Sequence, residues 1–156
     1  MKRASVVLIL VLAFCGLADS AYLAQNETAG TPLLCNIQYL SGCNTVAASP
    51  YSRLFGIPLA DYGVLFYSII FALAALELFV YDRRLRRTLQ GVAILGLVVS
   101  LYFTLIEVFA IQAYCIYCLA SALIALIIFV LAGFIEPLRR PAPEALPPSL
   151  SMPPAA

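Results

Sequence analysis

No histidine occurs anywhere in the 156 residues, which removes serine/histidine triads, histidine-bearing zinc sites and imidazole bases from consideration. Charge is nearly as scarce. Only 11% of residues are Asp, Glu, Lys or Arg, against about 25% in ordinary globular chains, and a net charge of +1 offers no basic surface for nucleic acid. No large soluble domain fits, and no internal repeat suggests a transporter built from inverted halves. What is abundant is apolar: 63% of the chain is hydrophobic, with a mean hydropathy of +1.00. The expectation is an all-α membrane protein, a four-helix transmembrane bundle whose chemistry rests on cysteines and carboxylates.

Four spans are expected at about 5–24, 62–80, 89–109 and 114–135, within a domain covering 1–136. The first follows Lys2-Arg3 and carries one charge, Asp19. It also fits a cleavable signal sequence, with Ala18, Ser20 and Ala21 as the small residues, but retention keeps the fourth span. Thr88 to Ile135 contains a single charge, Glu107. That stretch suits two helices joined by a reversal near Ala110 to Tyr114, although neither Gly nor Pro marks the turn. Eight of the nine basic residues fall on one side of this arrangement, with Arg53 alone on the other. Basic residues accumulate in short cytoplasmic loops. Both termini are therefore expected in the cytoplasm, with residues 25–60 as an outer, extracytoplasmic loop capping the bundle. The segment 137–156 holds seven of the ten prolines and reads as a disordered cytoplasmic tail.

Apart from Cys15, which reads as a core residue of the first span, the cysteines form two pairs, Cys35 with Cys43 and Cys115 with Cys118. Both fall on the outer side, where disulfides persist. Cys115-Ile116-Tyr117-Cys118 opens the fourth span, so both sulfurs share one helical face near an N-terminus. Unsatisfied amides and the positive end of the helix dipole favour a thiolate there. The plain alternative is two small hydrophobes in a helix. A Cys35–Cys43 disulfide would close a nine-residue loop, and as a mere staple would stabilise by about 2 to 3 kcal/mol. Leu33, Leu34, Ile37, Leu40, Val46, Leu54, Phe55 and Ile57 instead suggest a cap lying on the bundle, within reach of the helix pair for thiol–disulfide exchange. A third alternative places four sulfurs on one zinc ion, but the spacing of the first pair is too wide for the usual motif. No metal is expected.

Ser49, before Pro50 and a short stretch ending at Gly56, has the pattern of an N-cap, a proline at the first helical position and a glycine stop. Glu107 and Asp19 lie toward the outer ends of their spans. Ionisable groups there are rare and often functional, and either could relay protons during quinone reduction, yet both are close enough to water to be solvated. Asn26-Glu27-Thr28 is a glycosylation triplet, which matters only in a eukaryotic secretory path.

Cys35, Cys43, Ser49, Phe55-Gly56 and Cys115-Ile116-Tyr117-Cys118, in this order and topology, resemble the vitamin K epoxide reductase family over about residues 5 to 135. DsbB-type enzymes share the four spans, but their CxxC comes early and their loop pair late. The resemblance implies an oxidoreductase with catalytic Cys35, Cys43, Cys115 and Cys118. Electrons would pass from a secreted dithiol to Cys35/Cys43, then to Cys115/Cys118, then to a membrane quinone of ubiquinone, menaquinone or vitamin K type. It implies quinone contacts from Ser49, Phe55 and Cys118, with Cys118 facing the quinone and Cys115 exchanging with the loop. Vertebrate members hold vitamin K through an Asn on the second helix and a Tyr beyond the CxxC. Residues 62–80 contain no Asn, and Leu119, Ala120, Ser121 and Ala122 follow Cys118, so epoxide reduction is the alternative activity. A structural membrane protein with inert disulfides is the rival of another class. The expected partners are the bilayer, the quinone and a separate thioredoxin-like thiol protein in the bacterial periplasm, since no thioredoxin-like domain is attached. The expected location is the bacterial inner membrane.

Overall fold

A computed structural model describes residues 2–34, 42–80 and 82–135. Cys35 and the tail 137–156 lie outside the described residues. The elements are α1 (Lys2–Ala29), a short α2 (Cys43–Ala47), a 3-10 turn (Pro50–Ser52), a hairpin of β1 (Arg53–Leu54) and β2 (Ile57–Pro58), α3 (Leu59–Phe79), α4 (Arg83–Ile106), a π-helical turn (Glu107–Ile111) and α5 (Ile116–Ile135). Four helices are long and apolar enough to cross a membrane, over Ala4–Ala29, Leu59–Phe79, Arg83–Ile111 and Ile116–Gly133.

The helices form a ring in which α1 packs on α3 and α5, and α4 packs on α3 and α5. Their buried positions follow helical spacing: Val6, Ile9 and Ala13 on α1, Tyr67, Ile70, Ala74 and Glu77 on α3, and Ala125, Ile128 and Ala132 on α5. Steps of three and four residues keep one stripe of each helix inward. Leu95, Val98 and Leu105 on α4 are exposed, as a lipid-facing surface requires. The first segment is thus a full member of the bundle. Cys15, expected in the core, is exposed on α1, because the inward stripe runs through Ala13 and Gly16 instead.

Small residues let α1 and α3 approach closely, as is common where apolar helices associate in lipid. A Cβ on Gly16 would fall 2.4 to 2.6 Å from the Tyr67 ring, and one on Gly63 would fall 2.6 Å from Ser20 Oγ. Tyr67 is only 2% exposed. Its hydroxyl lies 2.8 Å from both the carbonyl and the hydroxyl of Ser121, so its ring has no room to yield. Gly16→Ala is therefore expected to destabilise the bundle by about 1 to 3 kcal/mol. Gly91→Ala is the control, since no atom lies within 4 Å of the added Cβ. Thermal unfolding in detergent checks both. Equal melting temperatures would mean that α1 and α3 can part at no cost.

The first span runs past its expected end at residue 24, whereas the α4–α5 reversal falls inside the expected range. Helix α1 continues to Ala29 because its polar end bonds to its own backbone: Asn26 Nδ2 donates to the Tyr22 carbonyl at 2.7 Å and Thr28 Oγ1 to the Ala24 carbonyl at 2.8 Å. It stops at Gly30, whose φ of +63° and two closing bonds, Gly30 N to Glu27 O and Thr31 N to Asn26 O, make a Schellman cap. The reversal between α4 and α5 falls at residues 112–114. There Gln112 takes the left-handed conformation, φ +53°, that a glycine usually occupies. At the opposite end of the bundle, the buried Glu77 of α3 pairs with Arg86 of α4, and the Asp82 side chain accepts the Arg84 amide at 3.0 Å to cap α4.

Candidate functional site

Cys115 immediately precedes α5, and its carbonyl accepts the Leu119 amide at 3.0 Å, so it occupies the N-cap. From that position its thiol accepts the backbone N–H groups of Tyr117 and Cys118, the donors that helix geometry leaves unpaired at an N-terminus. The hydrogen bond from the Cys118 thiol, the largest effect, holds the Cys115 thiol below its ordinary pKa. The two amides add to it, while burial and the Glu107 charge oppose it. A depressed thiol pKa leaves more of the reactive thiolate at neutral pH. In the reduced protein, alkylation of Cys115 is therefore expected to keep its rate to lower pH than an ordinary thiol does. Cys118→Ala removes the main donor and is expected to move the inflection back up. Mass spectrometry of the alkylated peptide across a pH series measures it.

The loop reaches this helix end through its backbone. Gly42 N donates to the Tyr114 carbonyl at 3.2 Å, one residue before Cys115. Behind it, the Asn44 side chain clasps Leu33, accepting its N–H at 2.8 Å and donating to its carbonyl at 3.4 Å. Tyr22 and Tyr117, rings 5.3 Å apart, hold the next residue: Leu34 N donates to Tyr22 Oη at 3.3 Å, and Tyr117 Oη donates to the Leu34 carbonyl at 3.0 Å. Under this clasp Leu33, Cys43 and Cys115 form one buried cluster, with Cys118 packed against it. Cys43 and Cys115 are 0% and 1% exposed. Cys43 is disulfide-bonded, whereas Cys115 and Cys118 are free thiols.

Below the cluster a cavity of about 260 Å³ opens between the helices, bordered by Cys43, Ser49, Glu107, Cys115 and Cys118. Ligand pockets for drug-sized molecules run from about 300 to 1,000 Å³, so this one suits a single ring system. Asp19 borders it from α1 with one carboxylate oxygen buried and unpaired among the described residues. Tyr67 and Ser121 border it from α3 and α5. Among the described residues no group of three or more His, Cys, Asp or Glu side chains is placed to hold a metal ion.

The candidate residues from the sequence divide. Cys43, Cys115, Cys118 and Ser49 meet at the cavity, and Cys35 lies outside the described residues. The Ser49 hydroxyl does not cap the following turn; it donates to the Val46 carbonyl at 2.7 Å. Gly56 ends no helix. With φ values of +54° and +82°, Phe55 and Gly56 form the turn of the β1–β2 hairpin, a pair of positive angles that suits tight hairpins. Phe55 is not among the cavity's walls, and its ring stands 93% exposed. Arg53, the basic residue on this side, is mostly exposed and pairs with Glu27 at 3.3 Å.

Glu107 departs furthest from the expectation of a solvated interface. It is only 4% exposed, its Oε2 accepts the Cys115 amide at 3.5 Å, and its carboxyl shares a hydrogen bond with the Cys118 thiol. Its sequence signal was a lone ionisable residue inside an apolar run; its partners, eight and eleven positions on, were not visible.

A search of curated proteins finds no match. The family model described as "Vitamin K epoxide reductase family" matches residues 7–133, which take in all four spans, the loop and the CxxC. A four-helix bundle with this match is a multi-pass membrane protein, and the chain belongs to the vitamin K epoxide reductase family.

Proposed function

We propose that this oxidoreductase makes disulfides outside the cytoplasm, taking electrons from a thioredoxin-like dithiol protein and delivering them to a membrane quinone. One observation carries the proposal: Cys43, Cys115 and Cys118, from segments far apart in the chain, border one ring-sized cavity at one end of the bundle. Two inert staples would have no need to share a cavity. The distribution of basic residues supports reading that end as the outer face.

In this relay a partner dithiol opens the Cys35/Cys43 disulfide, and the loop dithiol then reduces a disulfide of Cys115 and Cys118. Cys115 takes part in the exchange because it is buried beside Cys43 and its thiolate is stabilised. Cys118, one helical turn deeper, faces the cavity. Ser49 and Cys118, which border the cavity, would hold the quinone ring; Phe55 is not one of its walls. The quinone supplies a two-electron acceptor. An acceptor more oxidising than the partner is required, since a strongly oxidising thioredoxin-like protein stands near about −120 mV.

Purified full-length protein, mixed with a reduced thioredoxin-like protein and a short-chain quinone, is expected to consume quinone in step with partner disulfide. Ultraviolet absorbance follows the one and thiol titration the other. No quinone loss would overturn the proposal. Supplied with vitamin K epoxide and a dithiol, the protein is expected to form no vitamin K quinone, because α3 lacks the Asn and α5 the Tyr that hold the epoxide in vertebrate members.

A further inference from the structure

The π-helical turn at the end of the third span places Glu107 against both cysteines of the CxxC. Such wide turns interrupt the regular helical ladder and occur mostly at functional sites. Here the amides of Gln112 and Ala113 both bond back to the Glu107 carbonyl. Gln112 adopts its left-handed conformation directly after. The chain thus doubles back over Glu107 and reaches Cys115, whose amide meets the Glu107 carboxylate. The other ionisable residues bordering the cavity are Asp19 and Glu27 on α1, Tyr51 in the loop, and Tyr62 and Tyr67 on α3. Glu27 is engaged with Arg53 and Tyr67 with Ser121. Glu107 is the carboxyl group that meets the CxxC, at the Cys115 amide and the Cys118 thiol.

We propose that Glu107 is a catalytic residue, the acid–base group that carries the Cys118 proton during exchange between the loop and helix cysteines. When the loop dithiol reduces the helix disulfide, the Cys43 thiolate forms a bond to Cys115 Sγ and the Cys115–Cys118 bond breaks. Its electron pair goes to Cys118 Sγ, and Glu107 gives that sulfur a proton. The second loop thiol then attacks Cys43, releases its own proton to solvent and frees Cys115 as a thiolate. The newly protonated Cys118 thiol is the donor that stabilises this thiolate. In the reverse direction the Glu107 carboxylate takes the Cys118 proton as that sulfur attacks. Without an acid here Cys118 would stay a thiolate, and freeing Cys115 would put a second sulfur anion beside it in a buried, largely apolar site, which is costly.

This inference rests on the exchange proposed above, so its test omits the quinone. Full-length protein with the helix pair oxidised is mixed with dithiothreitol, and the appearance of the Cys118 thiol is followed by rapid alkylation from mildly acidic to mildly basic pH. Glu107→Gln keeps an oxygen for the Cys115 amide but cannot carry the proton. It is expected to slow the reaction by about 10²-fold and to flatten its pH profile. Glu107→Asp, still ionisable, is expected to recover at least about tenfold of that loss and the shape of the profile. A Glu107→Gln protein with the wild-type rate and profile would overturn the role of Glu107 alone. So would equal slowing at every pH with no recovery in Glu107→Asp, the behaviour of a merely structural group. A wild-type protein whose helix disulfide does not exchange at all would overturn this role and the relay together.

Discussion

Cys118→Ala is expected to reduce quinone-dependent oxidation of a partner dithiol to background while leaving a covalent trace of the step before it. Cys115 lies in the same buried cluster as Cys43, so its thiolate can attack a loop disulfide there. With Cys118 gone, only the released loop thiol Cys35 can displace the resulting bond, so alkylating Cys35 as it is released should let a mixed Cys43–Cys115 disulfide accumulate. The same substitution removes the hydrogen bond that holds Cys115 toward thiolate, so trapping is expected to be slower at neutral pH than at mildly basic pH. Mass mapping after alkylation detects the bridge. Cys35→Ala, Cys43→Ala and Cys115→Ala are expected to abolish turnover equally, because each removes a bond that the electron pair must cross. Cys15→Ala is expected to be silent, since that thiol is exposed on α1 away from the cluster. Full activity in any of the first four, or cysteine variants that lose stability with no catalytic defect, would contradict the relay and favour inert disulfides.

The contrast between Cys15 and the cavity cysteines shows how far the sequence could be read. Four apolar runs were visible because lipid demands about 20 apolar residues from every helix that spans it. Which face of each run turns inward was not, because a lipid-facing leucine and a core leucine are equally apolar. The sequence therefore suggests a core position for Cys15, whereas its neighbours Ala13 and Gly16 occupy the inward stripe. Length alone puts the α4–α5 reversal within residues 110–114, and it falls at 112–114. Its left-handed residue is Gln112 rather than Gly or Asn, so no turn signal marked it. Glu107 stands out in the sequence as a charge in an apolar run, but its burial against Cys115 and Cys118 depends on a π-turn that no local pattern announces. Phe55 was read together with Gly56 as part of a motif. The pair instead shapes a hairpin turn, which puts the ring outside the cavity.

Gly42→Ala is expected to slow exchange between the loop and helix cysteines by about 10²-fold, the scale of loss produced by displacing reacting groups by about 1 Å. The glycine is not required for its backbone angles: φ −80° and ψ 2° suit any residue. It is required for space. An added Cβ would lie 2.9 Å from the Tyr114 nitrogen, the Tyr114 oxygen and the Ala113 Cβ, and main chain yields less readily than a side-chain tip. The opposing strand is itself fixed, since the Ala113 amide bonds to the Glu107 carbonyl and the Cys115 amide meets the Glu107 carboxylate. The loop must therefore lift, weakening the Gly42–Tyr114 hydrogen bond and drawing Cys43, the next residue, away from Cys115. The helix pair is untouched, so dithiothreitol-driven quinone reduction through Cys115 and Cys118 should persist while oxidation of a protein partner fails. Forming the mixed disulfide in a Cys118→Ala background isolates the step. If Gly42→Ala traps as fast as its parent, close docking of the loop on residue 114 is not what brings the two sulfurs together.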